Sequence, residues 1–87
     1  MQNLLTYPVI IWPAENGYNV SVPDLGKNGL ATQGTDLDNA IYMARDLIYC
    51  MLAHTTNYPE AIPLDKVVIP HEAKNAITRV ISINVKK

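Results

Sequence analysis

The run "LLTYPVIIW", Leu4 to Trp12, limits the fold more than any other segment. It is almost wholly apolar and rich in β-branched residues. It offers no polar stripe at helical spacing. A short continuous apolar run of this kind predicts a strand covered on both faces. Such a strand belongs inside a sheet, between two neighbours. Pro8 is the one awkward residue, because it cannot donate to a strand ladder; it predicts a bulge or a strand start. The chain has only 87 residues, so it reads as one domain over 1–87. Few elements are available to provide that cover.

The segments that follow read in order. "PAENGY" contains Asn16-Gly17, a strong hairpin signal because both residues tolerate positive φ. "YNVSVP" alternates, with Tyr18, Val20 and Val22 on one side and Asn19 and Ser21 on the other, which predicts a half-buried antiparallel strand ended by Pro23. "DLGKNGL" is a turn in which Asp24 accepts backbone N–H groups and Asn28-Gly29 again suits a hairpin. "LATQG", Leu30 to Gly34, is a short third strand. Thr35 then reads as an N-cap, with Asp36 and Asp38 at the positive end of a helix. Leu37, Ala40, Ile41, Ala44, Leu47, Ile48 and Met51 recur at i, i+3, i+4 and form one apolar stripe. The helix is predicted to run to about His54 or Thr56, before Tyr58-Pro59. "NYPEAIPLDKVVIP" is a connection with an extended "KVVI" piece. "HEAKNAI" reads as a helical turn or two, and "RVISINV", Arg79 to Val85, as the last strand, with Ile81, Ile83 and Val85 on one face.

The predicted class is α+β: a three-stranded antiparallel meander, one main helix, and a final strand. A helix leading back to the sheet by a right-handed crossover would place that strand parallel to the first. The first strand would then be central, as its two-faced apolarity requires.

Composition excludes several function classes. The formal net charge is −1, and the basic residues are scattered, so nothing resembles the basic footprint of a nucleic-acid binder. The single cysteine, Cys50, cannot form an internal disulfide and fits a reducing compartment. The apolar N-terminal run lacks a basic flank, is interrupted by Pro8 and is too short to span a bilayer. A soluble cytoplasmic protein, with no membrane association, is the expectation. The high apolar content, 48%, in so small a chain leaves more apolar surface than one helix covers. That predicts a homo-oligomer, a dimer or tetramer.

Catalytic groups do not assemble in the sequence. Asp24, Asp36, Asp38 and Asp46 occupy turn, cap and helix positions where aspartate is favoured structurally. His54 and His71 stand without a carboxylate at metal spacing, and Cys50, a small residue within the helix, is predicted to pack rather than to react. No GxGxxG or P-loop occurs. No catalytic residue, metal or cofactor is expected, and the chain is read as a non-enzyme. A hydrolase or nuclease would need convergent titratable groups. The positions that stand out are Tyr42, Arg45, Asp46 and Tyr49, opposite the apolar helix stripe. Tyrosine and arginine are enriched at protein interfaces, so these four are the predicted partner-binding residues; the competing role is to cover the helix surface beneath the proline-rich segment.

The ordered set Tyr7-Pro8, Gly17-Tyr18, Val22-Pro23-Asp24-Leu25, Thr32-x-Gly34, and Thr35 with Leu37 and Ala40 resembles the HicB family of antitoxins over about residues 7 to 53. The chain departs from that pattern after Asp-Leu, where Gly26-Lys27-Asn28-Gly29 replaces the usual Pro-Gly. The resemblance implies a partial RNase H-like fold and a protein partner, a small HicA-type mRNA-interferase toxin inhibited by complex formation. Related nucleases carry a carboxylate on the first strand, and "LLTYPVIIW" has none, so the resemblance implies the scaffold without the chemistry. Many members add a C-terminal DNA-binding domain. This sequence reaches only Lys87 after its last strand, so no such domain and no direct nucleic-acid binding are expected. The alternative reading is a stand-alone homo-oligomeric binding domain of the same fold without a toxin partner.

Overall fold

A computed structural model describes residues 2–25, 30–54 and 63–86. Strands β1 (Gln2–Ala14), β2 (Gly17–Val22) and β3 (Leu30–Gly34) are followed by helix α1 (Leu37–Ala53) and strand β4 (Ile77–Lys86). The strands form one sheet in the order β3-β2-β1-β4. The apolar run therefore lies inside the sheet, paired with β2 on one side and β4 on the other.

Alternation along β1 sends Tyr7, Val9 and Ile11 to the side covered by α1, where they are buried with Val20, Val22, Leu25, Ile81 and Ile83. Ala40, Ala44, Ile48 and Leu52 are the buried positions of the helix, spaced by four. Leu37, Ile41, Leu47 and Met51 pack beside them, so the predicted stripe is the packed face. Ile48 and Leu52 are at most 1% exposed, and each such burial stabilises the fold by roughly 1.5–3 kcal/mol. On the other side of β1, Pro8 and Ile10 are also buried, while Leu4 is largely exposed. The ladder with β2 begins only at Ile10. Among the described residues, Pro8 thus lies where β1 has one unpaired side, and a residue without an N–H is tolerated there.

The first hairpin closes through Glu15 and Asn16, with Ala14 opposite Gly17. The glycine begins β2 at φ 154 instead of completing the turn. The second hairpin signal, Asn28-Gly29, lies outside the described residues, as does the segment around Tyr58-Pro59. The "KVVI" piece forms no strand, and "HEAKNAI" forms turns, with Ala73 N–H donating to the Pro70 carbonyl and Asn75 at φ 58, instead of helix.

Two expectations are overturned. The final strand is antiparallel to the first, from Gln2 opposite Lys86 to Ile11 opposite Ile77. The whole sheet is antiparallel, unlike the parallel crossover predicted for a partial RNase H-like arrangement. The chain between helix and strand is long enough to allow this. Helix α1 has 17 residues and carries the chain back about 25 Å along the sheet. A strand following it directly would run parallel to β1. Residues 55–76 could reach about 70 Å if extended, long enough to return to the far end of β1, so β4 enters there.

The second correction is the cap. Asp36, not Thr35, is the N-cap: its backbone is extended (φ −144) and its carboxylate accepts from the Asn39 N–H at 2.8 Å. Asn39 reciprocates, its Oδ1 accepting from the Thr35 N–H at 2.9 Å. A carboxylate is the better acceptor at the positive helix end. Asp36→Ala is expected to lower stability by about 1 kcal/mol and Thr35→Ala by less, measured by urea unfolding. The reverse order would refute this cap assignment.

Candidate functional site

The capped N-terminus and the buried Ala44 and Ile48 set the rotation of α1 on the sheet. That rotation leaves Tyr42, Arg45, Asp46 and Tyr49 on the outer side, at i, i+3, i+4 and i+7. The structure brings all four together. With Ile83 of β4 they line a groove of about 290 Å³. Ile83 is 4% exposed, whereas Tyr42 and Tyr49 are 62% and 51% exposed. Two large aromatic side chains thus flank an apolar floor in open solvent, and exposed aromatic clusters of this kind mark interaction surfaces. Arg45 and Asp46 stand between them, both exposed. Among the described residues, neither side chain has a hydrogen bond or ion pair.

The groove adjoins an edge. β4 is the outer strand on this side of the sheet, and among the described residues it pairs only with β1. The other edge, β3, has five residues against ten in β4. Long unprotected edges are templates for pairing with another chain. Ile83 was not singled out as a site residue by sequence reasoning. Alternation in "ISINV" placed it on the core side, but nothing local indicates that this position borders the helix tyrosines.

The titratable residues stay apart. Asp24 lies in the turn after β2, where the Leu25 N–H reaches the Val22 carbonyl at 3.4 Å. Asp36 is occupied as the cap. His54 is the exposed C-cap of α1, and His71 lies in an exposed turn. Cys50 is exposed, not packed as its small size predicted, because it falls next to Tyr49 on the outer side of the helix. No three His, Cys, Asp or Glu side chains converge as a metal site among the described residues. A larger hollow of about 420 Å³ lies between the first hairpin and the start of α1, bordered by Tyr18, Gln33, Thr35 and Asn39. Among the described residues no buried polar side-chain atom lacks a partner. No helix among the described residues is long and apolar enough to cross a membrane.

No curated protein and no solved structure matches the chain. One family model does match, described as the HicB-like antitoxin of bacterial toxin–antitoxin systems, and it covers residues 7–87. The match extends well beyond the N-terminal motifs, through the helix and into β4, and on that coverage the chain belongs to the HicB-like antitoxin family.

Proposed function

We propose that the protein is an antitoxin that neutralises a small HicA-type ribonuclease toxin in the cytoplasm by forming a complex with it. The family match over residues 7–87 carries this reading. Inhibition works by occupancy: the antitoxin covers the toxin and does no chemistry of its own. Tyr42, Arg45, Asp46 and Tyr49 are taken as protein-contacting residues, toward the toxin or toward a second copy of the chain, and no cofactor takes part. With a net charge of −1, the chain has little long-range field to steer association, so buried contacts dominate affinity.

The test is co-expression with a HicA-type toxin from the same host, followed by titration of the purified pair in an RNA-cleavage assay. Growth arrest is expected to be relieved, and protection to saturate at a fixed ratio of antitoxin to toxin. Failure to restore growth would refute the toxin partner and favour a stand-alone homo-oligomeric domain. Inactivation by far less than stoichiometric antitoxin would refute occupancy and point to catalysis.

A further inference from the structure

The outer stripe of α1 has a symmetry that matters for its occupant. Tyr42 lies three residues before Arg45, and Tyr49 lies three residues after Asp46. About the midpoint between Arg45 and Asp46, the stripe therefore reads the same in both directions, except that the charge changes sign. Two copies of such a helix packed antiparallel about that midpoint bring Tyr42 against Tyr49 of the partner subunit. They bring Arg45 against Asp46 of the partner subunit, and Asp46 against Arg45 of the partner subunit. An isologous contact requires this self-complementarity: each residue meets a different one, and the relation is reciprocal. The central Arg45 and Asp46, which have no ion pair within the chain among the described residues, find one across the axis.

The sheet carries the same symmetry element. β4 is a ten-residue edge strand without proline that, among the described residues, pairs only with β1. An edge strand can pair antiparallel with its own copy about a two-fold axis perpendicular to the sheet. The same axis then relates the two helices lying on one side of that sheet. Ile83 of β4 lines the groove together with Arg45 and Asp46, so this edge strand runs beside the middle of the helix stripe. Both pairings can be satisfied together.

We infer that the groove and the β4 edge are occupied by a second copy of this chain, in a two-fold dimer with α1 antiparallel to its mate and an eight-stranded continuous sheet. The inference rests on reading the groove as a protein-binding surface, not on the toxin. It places the toxin on another face of the dimer.

The test uses the full chain and sedimentation at micromolar concentration. The wild type is expected near twice 9.7 kDa. Arg45→Glu and Asp46→Arg each place like charges across the axis and are expected to weaken the dimer at least ~10-fold. An equal mixture of the two variants recovers association, because opposite charges face each other again in the mixed dimer. The double variant Arg45→Glu/Asp46→Arg also dimerises. Amides of β4 exchange more slowly as concentration rises. A monomeric wild type, single variants as dimeric as wild type, or a mixture that fails to recover would each overturn the inference. Concentration-independent exchange in β4 would overturn the strand pairing. A variant that keeps the dimer but loses toxin capture would hand the groove to the toxin, overturning this inference while leaving the antitoxin reading intact. Loss of that reading appears separately, in the growth assay of the unmodified pair.

Discussion

Gly34→Ala is expected to lower stability by roughly 3–5 kcal/mol, the range of severe overpacking. Gly34 ends β3 and lies directly beneath the first turn of α1. A β-carbon built there meets the backbone N and Cα of Ala40 and the Ala40 side chain at 3.0 Å. Those backbone atoms cannot rotate away as a flexible side chain could. Relief would require lifting the helix start off the sheet, which opens the contacts of Leu37 and Ala40. Gly17 is locked into the same place. Its φ is 154, and a β-carbon on it meets the Gly34 carbonyl. The hairpin, the end of β3 and the start of α1 thus pack backbone against backbone at one point. A domain of this size is stabilised by only about 5–10 kcal/mol in total, so the substitution removes a large share. Thermal unfolding followed by circular dichroism checks it, with an expected fall in Tm of more than about 15 °C. A shift of only a few degrees would show that the helix start can move away without loss.

The second large effect is on association. Tyr42→Ala with Tyr49→Ala is expected to weaken the dimer by roughly 100-fold or more, because aromatic anchors at the centre of a contact carry much of its energy. Folding should barely change. Both side chains are more than half exposed, and neither belongs to the core cluster. Circular dichroism and Tm report the fold, and sedimentation reports the association. If the double variant associates like the wild type, this side of the helix is not the interface. If it unfolds, the tyrosines cover part of the core from outside, and the groove is a packing feature.

Much of the fold is legible locally. The two-faced apolarity of Leu4–Trp12 required an interior strand, and β1 is paired on both sides. The alternation of Tyr18 to Val22 and the spacing from Leu37 to Met51 report their own periods, because burial on one side of a strand or helix acts on residues two or three to four apart. The outer stripe follows from the same count, which is why Tyr42, Arg45, Asp46 and Tyr49 could be singled out before their surroundings were known. Finer points were decided by short-range competition that residue preference does not resolve. Thr35 and Asp36 are both good caps, and the reciprocal bonds with Asn39 select Asp36.

The direction of β4 belongs to a different level. Parallel and antiparallel placement bury Ile81 and Ile83 on the same side of the sheet, so the alternating pattern is blind to the choice. Residues 55–76 are long enough to permit either. What decides is which end of β1 the chain reaches, and the ladder from Ile11 opposite Ile77 to Gln2 opposite Lys86 is made of contacts more than sixty residues apart. The same non-local choice brings Ile83 beside the helix tyrosines. Periodicity is written between near neighbours and can be read there; strand direction and the closing of backbone on backbone depend on where distant segments meet, and only the assembled sheet and helix contain that information.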